Sequence, residues 1–179
     1  MYSLDMKKII YILIMSTLMS CSFFEKKDFS SVNYLDPTKY EGTWYVIENI
    51  PTFFEDDAYN SVEHYSFTED KIEIDFKMRK GGPNGEIKSY PQKGEIYNKK
   101  TNAHWKIKIP WIPFKFDYLV IDLASDYSWV VVGVPNKNYV WIMARKPTLS
   151  EEKLKPIRQK LGKHGYDVSK LQKVPQIWD

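Results

Sequence analysis

Apolar and polar residues alternate most strictly between positions 71 and 78. Ile72, Ile74, Phe76 and Met78 fall on one face, and Lys71, Glu73, Asp75 and Lys77 on the other. Such a strand has one dry side and one wet side. In a closed sheet the dry side lines the interior, so Ile74 and Phe76 are candidates to meet whatever the interior holds. The same period recurs over 103–109, where Trp105, Ile107 and Ile109 alternate with Lys106 and Lys108. Residues 59–67, 87–97, 118–123, 129–134 and 139–145 read as further strands, with Pro91 marking an edge or a bulge in the second of these. With the aromatic and β-branched run that opens at Trp44, the count is eight. Short strands at regular spacing predict an all-β fold, an eight-stranded antiparallel up-and-down β-barrel. Its interior is just wide enough for packed side chains or one small ligand.

The connections carry turn chemistry. Gly81-Gly82-Pro83-Asn84-Gly85 and Pro135-Asn136-Lys137-Asn138 are hairpin turns, and the first lacks the spacing of a phosphate loop. Pro110-Trp111-Ile112-Pro113-Phe114 is an apolar loop that its prolines keep out of regular pairing. It is placed to rim a cavity mouth, to meet a partner, or to dip into a bilayer interface. After residue 145 the period changes. Leu154, Ile157 and Leu161 share one helical face, which predicts a C-terminal α-helix packed on the barrel wall. Thr148 and Glu151 are spaced as a capping box. Pro156 predicts a kink or a later start, and Gly165 a stop. The tail 170–175 is a candidate for a short outer strand.

Three segments, in order, carry a family likeness. The first is 36–47, centred on Gly42-Thr43-Trp44-Tyr45. The second is Ser125-Asp126-Tyr127, read as the opening of a strand. The third is Arg145, which ends the eighth strand. Together they resemble the conserved regions of the lipocalins. The likeness extends from about residue 33 to the C-terminus. Ile50-Pro51-Thr52-Phe53-Phe54-Glu55 and Asp167-Val168-Ser169-Lys170 resemble the subgroup that holds the bacterial outer-membrane lipoprotein lipocalins and apolipoprotein D. Ser125 stands where the family usually has threonine. The resemblance implies that Trp44 and Arg145 pair at the closed end of the barrel, a structural role. It also implies that the loop with Phe53 and Phe54 lids the open end.

The amino terminus reads as an address. Lys7 and Lys8 precede an apolar run over 9–15, and Leu18-Met19-Ser20-Cys21 follows. The run is too short to span a bilayer. The tetrapeptide resembles a bacterial lipobox, with Met19 a less usual third member. Residues 1–20 are then a lipoprotein signal peptide, 21–35 a lipidated tether, and 36–179 the lipocalin barrel with its helix. Met1 and Met6 both remain candidate starts. Cys21 is the sole cysteine, so no intramolecular disulfide forms. Lipidated there, the chain would attach to the membrane through Cys21. Ser22 in place of aspartate points to the outer membrane, with the barrel facing the periplasm.

Composition narrows the functional classes. Aromatic residues at 16% and charged residues at 27% describe a folded chain, and a net charge of +3 is too mild for nucleic acid. His64, His104 and His164 lack metal-ligand spacing. No G-x-S-x-G and no dinucleotide fingerprint occur, and no cofactor or haem ligand is evident. Tyr139, Trp141 and Met143 share a face with Arg145, so period two sends them inward if Arg145 points inward. Tyr118 is a candidate from a neighbouring strand. An interior lined in this way suits acyl chains. The expected function, drawn from the resemblance, is a non-catalytic carrier or store of fatty acids or lysophospholipids. A filled-barrel envelope interaction protein and a lipocalin-fold isomerase are the alternatives. A homodimer is left open.

Overall fold

The computed structural model describes residues 31–178. The segment read as a signal peptide, Cys21 and most of the segment read as a tether lie outside the described residues. Eight antiparallel strands follow one another: β1 (Gly42–Ile50), β2 (Ala58–Thr68), β3 (Lys71–Lys80), β4 (Glu86–Ile96), β5 (His104–Lys108), β6 (Lys115–Leu123), β7 (Trp129–Gly133) and β8 (Val140–Ala144). A one-turn helix, α1 (Pro37–Tyr40), precedes them. Helix α2 (Glu151–Lys163) and a two-residue strand, β9 (Gln172–Lys173), follow. Each strand pairs with the next, and β1 pairs with both β8 and β2, so the sheet closes into a barrel.

The alternation over 71–78 is realised as read: Ile72, Ile74, Phe76 and Met78 are all buried. Pro91 sits on a stretch of β4 that β5 does not reach, since their pairing covers only Lys93 to Ile96 of β4. A residue without an N–H is tolerated on such an edge.

Two local expectations are corrected. Ser125-Asp126-Tyr127 does not open a strand. Asp126 Oδ1 accepts from the Ser128 amide at 3.0 Å, Tyr127 has φ +56°, and its hydroxyl accepts from the Asp36 amide at 2.9 Å. The segment is a turn that ties α1 to the barrel, and pairing begins at Trp129. The Thr148–Glu151 capping box is not made either. Leu149 packs against the barrel wall, and Ser150 is the residue that precedes the first turn of α2. The helix thus starts later than the box would place it, and it continues through Pro156. Buried Leu154, Ile157 and Leu161 hold it, each side chain contributing up to about 1.5–3 kcal/mol. Gly165, at φ +82°, ends it. Its amide donates to Gly162 O at 2.9 Å and the Tyr166 amide to Leu161 O at 3.1 Å, the two bonds of a Schellman stop. Arg158 joins helix to wall through an ion pair with Glu48 of β1, and Glu151 of its own helix holds the guanidinium as well.

The seam between β1 and β2 is closed in two ways. Over Gly42–Tyr45 the strands pair directly with Tyr65–Val62. Beyond Val46 they diverge, and the C-terminal tail fills the gap. β9 pairs with Glu48 and Asn49 of β1, and the Asn60 amide of β2 donates to Pro175 O at 2.8 Å. The Gln176 side-chain amide spans the seam, donating to Val46 O at 2.8 Å and Ser61 O at 3.0 Å. A side chain here supplies the rungs that a strand partner would otherwise provide.

The barrel interior is divided by height. Its lower half is solid with aromatic rings: Tyr40, Trp44, Tyr65 and Trp105 are fully buried, and Phe67 packs against them. The upper half is open.

Candidate ligand-binding site

The base is built around Arg145. Its guanidinium carbon lies 3.8 Å from the centre of the Trp44 ring. Nη2 donates to the carbonyls of Lys39, Tyr40 and Glu41 at 2.7–2.9 Å, and Nη1 to Thr43 O at 2.9 Å. The carbonyls of Lys39, Tyr40 and Glu41 close α1, where a cation is favoured and acceptors lack helical partners. The Trp44 indole donates to Tyr40 O at 2.8 Å. Gly42 has φ +99°, and a Cβ there would sit 3.4 Å from Arg145 Nη1 on backbone that only glycine adopts freely.

Above the aromatic floor is a cavity of about 190 Å³. Three near-parallel rings climb from floor to mouth. Trp105 stacks on Tyr118 at 5.1 Å, and Tyr118 on Trp141 at 6.4 Å. At the mouth Phe54, Tyr90 and Trp111 form a triangle with centroids 5.7–6.4 Å apart. Phe53 stacks on Phe54 and stands 78% exposed, with Trp111 at 52%.

Of the eight residues read as ligand-facing, Tyr118, Tyr139, Trp141, Phe76, Phe53 and Phe54 line this cavity. Met143 and Ile74 do not. Both point inward but lie in the packed lower half. They are corrected from lining residues to floor packing. The interior is therefore a shallow cup, not a hollow running the length of the barrel.

Two buried acids in this cup were missed in the sequence. Glu55, 5% exposed, folds back from the lid loop. Its carboxylate accepts from Asn49 Nδ2 at 3.1 Å, the Thr52 amide at 3.0 Å, Thr52 Oγ1 at 2.7 Å and Trp141 Nε1 at 2.7 Å. Glu63, 6% exposed, sits at the floor. Its carboxyl accepts from the Tyr65 hydroxyl, which also meets the Tyr118 hydroxyl. Burial pushes the Glu63 carboxyl up to about 7, the Tyr65 bond opposing and the nearby Glu55 charge adding to the rise. Burial also holds Tyr65 and Tyr118 well above the usual phenol value. A signal for Glu63 was present in the sequence: Glu63, Tyr65 and Phe67 alternate with Val62, His64 and Ser66, which puts the acid on the aromatic face.

Among the described residues no group of three or more His, Cys, Asp or Glu could hold a metal ion. No described helix is long and apolar enough to cross a membrane.

A closed barrel with a sealed base and an apolar cup at the open end is the architecture of calyx-type binding proteins. The lipocalin-like domain model matches residues 35–176. Temperature-induced lipocalin-1 of Arabidopsis thaliana is 31% identical over 160 residues, covering 85% of each chain. The outer membrane lipoprotein Blc of Escherichia coli K12 is 30% identical over 149 residues, covering 78% of each. The structure of lobster apocrustacyanin A1 superposes with a TM-score of 0.63 at 17% identity, covering 79% of each chain, a likeness of fold. The chain belongs to the lipocalin family.

Proposed function

We propose that this lipocalin is anchored to the outer membrane through lipidated Cys21 and reversibly binds the acyl chains of fatty acids or lysophospholipids, storing or carrying membrane lipid without making or breaking a bond. The observation that carries the reading is the cup itself, with aromatic and aliphatic walls and an opening at the mouth. Relatives named as outer membrane lipoproteins support the location. At about 30 Å³ per water-sized group, 190 Å³ holds roughly six methylenes. A longer chain projects out past Phe54 and Trp111, with its head near the mouth. Each buried methylene contributes about 0.8 kcal/mol, offset by the cost of association. Micromolar to submicromolar affinity is expected.

The test is displacement of a fluorescent fatty acid by a lysophospholipid, on the full chain carrying Cys21→Ser. Saturable displacement at one site supports the reading. No probe binding at all would favour the second reading, a filled-barrel interaction protein. The cup's volume lends that reading some weight, since it lies below the roughly 300–1,000 Å³ usual for ligand pockets.

A further inference from the structure

Phenols aside, the ionisable residues that line the cup are all acids. These are Glu55, Glu63 and Asp117, and among the described residues no lysine, arginine or histidine joins them. Their partners differ. Asp117 is matched by Lys106 Nζ and His104 Nε2, each at 2.6 Å. Glu55 is saturated by four donor contacts. Glu63 is met only by neutral phenols, the hydroxyls of Tyr65 and Tyr118, and among the described residues by no ion pair. The Tyr65 and Tyr118 hydroxyls also meet each other. Glu63 therefore keeps unused acceptor capacity at the floor of an apolar cup. Phe76 lies opposite it across the β2–β3 pairing and Tyr118 reaches its phenol cluster, while Trp141 and Tyr90 line the cup nearer the mouth.

A buried acid at the floor of an aromatic-lined cup suits a cation. The carboxylate supplies charge, and the ring quadrupoles add cation–π attraction that strengthens out of water. The same arrangement repels an anion placed at the floor.

Resting on the reading of the cup as a ligand site, we propose that it prefers an alkylammonium, inserted with its nitrogen against Glu63, over an alkyl carboxylate of equal length. Glu63 is the residue that sets this preference. The groups that face it are Tyr65 on its own strand, Tyr118 on β6, Tyr40 on α1 and Glu55 on the lid loop, none of them a cation. Its carboxyl is raised to about 7, so the preference is strongest above that pH and weakens as Glu63 takes up a proton.

The probes are octylamine, octanoate and octanol, titrated by calorimetry into the full chain with Cys21→Ser and into the same chain with Glu63→Gln. At pH 8 octylamine is expected to bind at least tenfold more tightly than octanoate, and Glu63→Gln to bring the ratio below threefold. Between pH 8 and pH 6 the affinity for octylamine falls several-fold in the parent and stays flat in Glu63→Gln. The pH series in the parent stands alone should the variant fold poorly. Octanoate binding as tightly as octylamine at pH 8, or a ratio unmoved by Glu63→Gln, overturns the proposal while octanol binding keeps the cup as a ligand site. Failure of all three probes to bind overturns both.

Discussion

The Trp141 indole donates to Glu55 Oε1 at 2.7 Å, joining the lid loop to β8 across the mouth of the cup. The same carboxylate gathers Asn49 and Thr52. One buried side chain thus fixes loop, β1 and β8 together. Glu55→Ala leaves four donors on three buried or half-buried residues without this acceptor, and a loss of roughly 4 kcal/mol is expected at about 1–3 kcal/mol per orphaned group. Urea unfolding measures the loss. Hydrogen exchange at the Thr52 amide should quicken along with it, and an unchanged rate there would show that the loop is held by other contacts.

Arg145 concentrates four backbone carbonyls and the Trp44 face on one guanidinium. Arg145→Ala should cost about 2–4 kcal/mol, from cation–π contact and charge-assisted bonds that water only partly replaces. Arg145→Lys should recover less than half, because an ammonium cannot reproduce the planar fork. Thermal melts of both variants report the loss. The affinity of the cup for its ligand should not move, since Arg145 lies below the packed floor.

Glu63 makes stability depend on pH with a definite sign. Its carboxyl ionises near 4.5 in the unfolded chain and near 7 in the fold. The folded state therefore holds more protons between those values, and stability falls as pH rises from about 4.5 to 7. Each tenfold change in proton affinity is worth about 1.4 kcal/mol, so the loss across that window is on the order of 3 kcal/mol. Glu63→Gln keeps an acceptor without the charge. It should melt several degrees higher than the parent at pH 8, and within a degree or two of it at pH 4. A gain of equal size at both pH values would place the effect in packing.

Gln176 acts as a cross-rung in the β1–β2 seam. Gln176→Ala removes two bonds at about 0.5–1.5 kcal/mol each and should destabilise by roughly 1–2 kcal/mol. Backbone exchange should quicken at Asn60, whose amide bonds the tail, and not at Tyr65, where β1 and β2 pair directly.

The order of strands, the wall helix and the Trp44–Arg145 pair were legible because each leaves a periodic or motif signal along the chain. Height within the barrel was not. Period two says which face a residue takes but not how far up the axis it sits, so Ile74 and Met143 read as cup residues when they pack its floor. Glu55 sits in a loop with no period, beside Asp56 and Asp57, and nothing local distinguishes the acid that folds inward. Gln176 follows no pattern at all. Its role arises from a seam whose divergence depends on two strands more than a hundred residues away. Ser125-Asp126-Tyr127 shows the reverse error: a motif correctly placed in order but taken for a strand, although its polar residues favour a turn.

The central claim is that the cup above Tyr65 and Trp105 receives an apolar ligand. Val134 lines it just past the end of β7, and Val134→Trp would fill a large part of about 190 Å³. The direct test is fluorescent fatty-acid titration of the parent and of Val134→Trp, both carrying Cys21→Ser and both checked by melting. Saturable one-to-one binding is expected in the parent, with at least tenfold weaker binding in the plugged variant at similar stability. Equal binding by the two chains, or none by the parent, would contradict it.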